Sequence, residues 1–236
     1  HVFMKSIKIY VILFIIFFIS AGCVQQEIEA DSFNKLLSHR NMGLAYLEEE
    51  RYTDAVKEFM AFINIVPSEA FGYANAGWAY LQSPGKLDSA QIMLEQAMKL
   101  SPDNPDIAFL AAKMYELTNR TIKAIELLEN TKNKYPEHVL TLYQLYEYYL
   151  QPNVALDLKK AEELLQRIAE TVPGNVAAQL KLADLSIKNG HSETALFSME
   201  TVRQILPALP TDAVSVINNA IQFLREDDTS QAMAQA

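Results

Sequence analysis

One cysteine, Cys23, stands in a chain of 236 residues, so no intrachain disulfide can form and no thiol is available for catalysis beyond that position. Basic residues are in the minority, with a formal net charge of −9, and the only charges before residue 23 are Lys5 and Lys8, so the remaining body is more acidic still. That argues against a nucleic-acid binder, which needs a basic patch to displace counterions. The seven glycines are scattered, which leaves no glycine-rich loop to cradle a phosphate. The four histidines, His1, His39, His138 and His191, include no pair at metal-ligand spacing on a helix. Neighbouring acids such as Glu162-Glu163 and Asp227-Asp228 point apart on a helix and read as solvated surface. Asn119-Arg120-Thr121 fits a glycosylation sequon, read here as a coincidence of a helix-turn sequence. No catalytic constellation, metal site, cofactor or small-molecule substrate is expected, and the chain does not read as an enzyme.

What the sequence does hold begins at its N-terminus. Met4 reads as the initiator; Lys5 and Lys8 are followed by an unbroken apolar run, Ile9 to Ile19. The run is short of the roughly 20 residues a spanning helix requires. Ser20-Ala21-Gly22-Cys23 follows, and small residues before a lone cysteine resemble a bacterial lipoprotein signal. One position departs from that pattern, with Ser20 where leucine is usual and Ile19 one place earlier. The resemblance implies a signal peptide over 1–22, lipidation of Cys23 and a tether over 23–32. It places the protein at a membrane, with Val24 favouring the outer membrane; the alternative is a soluble periplasmic or secreted protein.

The body is ruled by a repeat. Pro67, Pro102, Pro136, Pro173 and Pro207 are spaced 35, 34, 37 and 34 residues apart, and Ala55, Ala90, Ala124, Ala161 and Ala195 follow the same irregular ruler. Other columns share it: Tyr46, Tyr80, Tyr115 and Tyr149, broken by Ser186; Gly43, Gly77, Ala112, Tyr146 and Ala183; Phe59, Leu94, Leu128, Leu165 and Met199. These columns resemble the tetratricopeptide repeat, a helix–turn–helix unit of 34 residues, over about residues 33–207. The expected fold is all-α: a right-handed α-solenoid of five helix pairs, at 34–48 with 52–65, 69–82 with 86–99, 105–118 with 121–134, 138–151 with 158–171, and 175–188 with 192–205. Small residues belong where paired helices cross, so Tyr146 predicts a looser crossing in the fourth pair. Asn104-Pro105 reads as an N-cap and first helical position, and Asn189-Gly190 as a turn. Val214, Ile217, Ile221 and Leu224 share one face of an eleventh helix over 211–226, the cap that closes the solenoid at 33–226. Residues 227–236 have no periodic pattern and are expected to be disordered.

The resemblance also implies a use. In this family the first helix of each pair lines a concave groove that binds proteins or peptides. Carried onto this sequence, the groove positions are Leu37, Arg40 and Leu44; Phe71, Ala74 and Trp78, with Asn75 beside them; Asp106, Phe109 and Lys113; Leu140, Tyr143 and Glu147; and Ala177, Leu180 and Asp184. A basic clamp for a terminal carboxylate is not expected, since only Arg40 and Asn75 fit it, while Leu44, Asp106 and Leu110 occupy places that should be polar or basic. Of the Tyr143, Tyr146, Tyr148 and Tyr149 cluster, Tyr143 alone is expected in the groove and the others in packing. The aromatic strip Phe71, Trp78, Phe109 and Tyr143 points to an apolar segment as ligand. Gly72-Tyr73-Ala74-Asn75-Ala76-Gly77 and Met114-Tyr115-Glu116-Leu117-Thr118 also look like the repeat arrays that precede FG-GAP propeller modules in exported proteins. The leading expectation is an envelope scaffold or adaptor, the alternative the docking module of a longer exported protein.

Overall fold

The structure, a computed structural model, describes residues 30–205 and 211–235. The signal segment 1–22, Cys23 and Pro207 lie outside the described residues. Eleven helices and no strand occur among the described residues. They are α1 (Ala30–Glu48), α2 (Tyr52–Ile65), α3 (Ala70–Leu81), α4 (Leu87–Leu100), α5 (Pro105–Leu117), α6 (Thr121–Lys134), α7 (Val139–Tyr149), α8 (Leu158–Thr171), α9 (Val176–Asn189), α10 (Ser192–Ile205) and α11 (Thr211–Gln235). Each packs on its chain neighbours, and among the first helices α3 also meets α5 and α5 meets α7. An α-solenoid results.

Two boundaries differ from expectation. Ala30, Asp31 and Ser32 belong to α1 rather than to a tether. At the other end α11 continues to Gln235, so residues 227–235 are helical instead of irregular. That stretch holds neither proline nor glycine and closes on Gln231-Ala232-Met233-Ala234-Gln235, residues that favour helix even without an apolar period.

The repeat columns form the core. The five alanines of the second helices are completely buried, as are Phe59, Leu94, Leu128 and Leu165 one turn further on. The small-residue column faces this second set. A Cβ on Gly43 would lie 2.6 Å from the Phe59 ring, and one on Gly77 2.6 Å from Leu94 Cγ. These are distances that real side chains do not reach, so glycine there is a requirement of helix approach and not of backbone freedom.

Turns obey the same ruler. Five residues ahead of the alanine column stand Glu50 (φ 58°), Gly85 (φ 71°), Asn119 (φ 57°) and Gly190 (φ 79°), all left-handed. In the fourth pair that place falls in the longer loop between Tyr149 and Leu158. In these four pairs a left-handed residue stands between the two helices, and glycine or asparagine tolerates that conformation best. The Asn104 side chain accepts from the amides of Asp106 and Ile107 at 2.9 and 3.2 Å with Pro105 at the first turn, as expected of a cap. Asn175 and Asp157 cap α9 and α8 in the same way.

α11 closes the array. Ile221 and Leu224 are buried, and Leu224 joins Ala183 and Ala195 in one cluster.

One polar cluster departs from the surface reading of adjacent acids. Glu163 is exposed, but Glu162 is buried. Its carboxylate accepts from the Ser186 hydroxyl at 2.6 Å and the Asn189 amide at 2.7 Å, and its Oε2 meets His191 Nδ1 at 2.8 Å. A carboxylate is buried here because hydrogen bonds replace the water it loses.

Candidate functional site

The first helices α1, α3, α5, α7 and α9 carry the expected groove positions, and the contacts of α3 with α5 and of α5 with α7 make those three a continuous wall. Their side chains divide into two stretches of different chemistry.

The first stretch centres on Phe71. Its ring lies 6.0 Å from that of Phe59 and 5.4 Å from that of Phe62, and the Arg40 guanidinium covers it at 5.1 Å. Burial of one ring face with a cation on the other stabilises this position. Asn75 donates from Nδ2 to the Phe71 carbonyl at 2.8 Å. Its amide is thus tied to its own helix, and Arg40 lies over an aromatic face. Beside them a cleft of about 510 Å³ is lined by Phe71, Asn75, Asn104, Asp106 and Leu110. Leu44, Trp78, Phe109 and Lys113 are half-buried along the same helices, and Ala74 is buried. Lys113 pairs with Glu116 at 3.4 Å, and Glu116 accepts from the Tyr148 hydroxyl at 3.0 Å.

The second stretch centres on Lys181. Its Nζ lies 5.6 Å from the Tyr143 ring centroid, 5.3 Å from that of Tyr146, and 3.9 Å from Glu147. The hydrogen bond with Tyr143 holds the Lys181 ammonium above its ordinary pKa, with the nearby ring hydroxyls and Glu147 acting in the same direction. Burial raises Tyr146, and Lys181 partly offsets it. Tyr146 is a buried core residue, as expected, and its ring leans on Tyr143 at 5.6 Å. Tyr148 and Tyr149 are core residues, as expected, with the Tyr149 hydroxyl donating to Glu129 at 2.8 Å.

The aromatic strip is thus less open than its spacing suggests, since Phe71, Trp78, Phe109 and Tyr143 are all partly buried. What the first helices leave exposed includes the leucines Leu37, Leu117, Leu140 and Leu180, together with Phe33, Met42 and Ile187. Ala177 and Asp184 are exposed on α9. Lys181 was not foreseen as a groove residue. It stands one place after Leu180, and only the approach of α9 to α7 brings it over the two tyrosines. Among the described residues no three histidines, cysteines or acids gather to hold a metal, and no helix is long and apolar enough to cross a membrane.

A solenoid of paired helices with a capped end and a wall of first helices defines a helical-repeat protein. The chain carries tetratricopeptide repeats: the model of that repeat matches residues 81–145, and the fold repeats the same helix-pair unit on both sides of them. Among curated proteins it is similar to the human protein O-mannosyl-transferase TMTC3, with 29% identity over 150 residues, 64% of this chain. The chain spans only 16% of that protein's length. Among solved structures it is similar to PilF of Pseudomonas aeruginosa, with a TM-score of 0.64 and 16% identity over 86% of this chain and 90% of that one. It is also similar to MamA of Desulfovibrio magneticus RS-1, with a TM-score of 0.55 and 16% identity over 75% of this chain and 98% of that one. At these identities the two structures show a shared fold.

Proposed function

We propose that this protein is an interaction scaffold that holds an apolar segment of a partner protein along its first helices, and that it does so at a membrane surface to which lipid on Cys23 anchors it. The observation that carries the binding reading is the row Leu37, Leu117, Leu140 and Leu180, exposed on the first helices and interleaved with the half-buried rings of Phe71, Trp78, Phe109 and Tyr143. Aliphatic side chains beside anchored rings suit an extended or helical apolar ligand. The charges between them, Arg40, Asp106, Lys113, Glu147 and Lys181, alternate in sign and suit a segment with scattered charge rather than a single anionic group. Trp78 is the only tryptophan, so its fluorescence reports occupancy. Trp78→Ala with Phe109→Ala should abolish partner recovery while the melt stays cooperative; a folded double variant with unchanged recovery overturns the groove reading.

The anchoring reading rests on the signal-like Ser20-Ala21-Gly22-Cys23. Labelling with a palmitate analogue should depend on Cys23, and labelling that persists in Cys23→Ser removes that part. A second reading, a docking module within a longer exported protein, is favoured by the small fraction of its relative that the chain spans. The encoding reading frame decides it: continuation past Ala236 supports the module, a stop codon the stand-alone scaffold.

A further inference from the structure

Away from the groove, α8, α9 and α10 enclose a second cleft of about 410 Å³. Its lining combines apolar surface from Ala169, Leu182 and Phe197 with the carboxylates of Glu170 and Glu193, and contains no lysine, arginine or histidine. Two features there are costly unless something occupies the cleft. Gln179 is 3% exposed, and its Oε1 is closed to water and has no hydrogen-bond donor among the described residues, so a ligand in the cleft reaches it only as the Gln179 side chain turns outward. Buried acceptors are almost always satisfied. Phe197 is 68% exposed, a full ring left in water at the same site. Glu170 accepts a bond from Gln166 at 3.1 Å, and among the described residues no lysine, arginine or histidine lines the cleft beside either carboxylate.

We propose that this cleft takes an arginine side chain from a partner polypeptide. The unpartnered oxygen calls for a donor, the two carboxylates for positive charge, and the exposed ring for a flat group that stacks on it. A guanidinium supplies all three at once, with five N–H donors in a plane and weak enough hydration to leave water. Its aliphatic stem is matched by Ala169 and Leu182. An ammonium meets the charge but not the planar contact, and a neutral ring meets the contact but not the charge. The cleft shares no lining residue with the groove positions, so it stands or falls separately from the groove reading.

The test is calorimetric titration of the folded protein with the blocked peptide acetyl-Gly-Arg-Gly-amide, against the same peptide carrying the neutral isostere citrulline. Saturable binding of the arginine peptide at one site is expected, with the citrulline peptide at least tenfold weaker. Glu193→Gln and Phe197→Ala alter exposed side chains and should fold, and each should weaken binding severalfold; Gln179→Leu should do the same where its melt remains cooperative. Trp78→Ala with Phe109→Ala should bind as the parent does. Equal binding of the two peptides, no saturation, or unchanged affinity in both Glu193→Gln and Phe197→Ala overturns the proposal. Loss of binding in the groove variant places the peptide elsewhere and overturns it too. So does sedimentation showing a dimer that Phe197→Ala dissolves, because the occupant is then a second copy of the chain.

Discussion

The Ser186 hydroxyl donates to Glu162 at 2.6 Å where the tyrosine column of the repeat breaks. In other pairs a cation covers the tyrosine at this place: Arg51 over Tyr46 at 4.3 Å, Arg120 over Tyr115 at 4.9 Å, Lys160 over Tyr149 at 5.0 Å. In the fifth pair the tyrosine is Ser186, and His191 stands at the ruler position of Arg51 and Arg120. There Ser186 and His191 both bond the buried Glu162 carboxylate, so the fifth pair has a polar cluster where those pairs have a ring beside a cation.

That cluster carries a pH dependence. Burial pushes the Glu162 carboxyl up, but hydrogen bonds from Asn189, Ser186 and His191 outweigh it and hold it below its ordinary value. A depressed folded pKa contributes stability above the ordinary glutamate range, and that contribution is lost as the pH falls through the folded value. Glu162→Gln should therefore cost about 2 kcal/mol near neutral pH, the scale of losing a hydrogen bond to a charged group. The difference from the parent should shrink below about pH 4. Thermal melts from pH 7 to 3 check this, and parallel curves for the two proteins count against it.

Left-handed turn residues predict opposite effects of two substitutions. Gly190 sits at φ 79° with open space where a Cβ would go, so the penalty of Gly190→Ala is conformational alone. It should lose about 1 kcal/mol. Glu50 occupies the equivalent turn at φ 58°, and Glu50→Gly relieves that strain at a surface position, so it should raise the melting temperature slightly or leave it unchanged. Calorimetric melts of both variants test the shared geometry.

How much of this was legible in the sequence depends on which force fixed each feature. The proline and alanine series placed α2, α6, α8 and α10 to the residue, because steric demands at a helix stop and a tight crossing allow few residue types. The helix over 227–235 was missed since its formation rests on intrinsic propensity without an apolar face to signal it. Glu162 was misread because burial of a charge depends on three partners 24 to 29 residues further along the chain, and sequence adjacency to Glu163 says nothing of them. The first-helix positions were legible and their exposure only partly so: the ruler places Phe71 on α3 but cannot show that Phe59, Phe62 and Arg40 already cover it.

The cap distinguishes two neighbours on one helix. Leu224 is 3% exposed against Ala183 and Ala195, whereas Phe223 is 67% exposed. Leu224→Asp buries an unpaired charge and should cost more than about 3 kcal/mol, enough to open the fifth pair. Phe223→Asp should stay within about 0.5 kcal/mol of the parent. Hydrogen exchange localises the effect: faster exchange should be confined to α9, α10 and α11 in the first variant and absent in the second.

Leu140 and Leu180 separate binding from folding within the groove. Both are exposed on first helices, at 48% and 43%, so aspartate there removes little buried area. The double variant Leu140→Asp, Leu180→Asp should melt within about 1 kcal/mol of the parent, as surface substitutions do. Its effect on an apolar ligand should be far larger, because two carboxylates would have to be desolvated against it. Neither residue contacts the α8–α10 cleft, so binding of the arginine peptide there should be untouched. Partner recovery should therefore fall at least tenfold while the melt and the peptide titration hold. If recovery holds as well, the partner does not use the second half of the groove, and the first stretch around Phe71 and Trp78 becomes the surface to change.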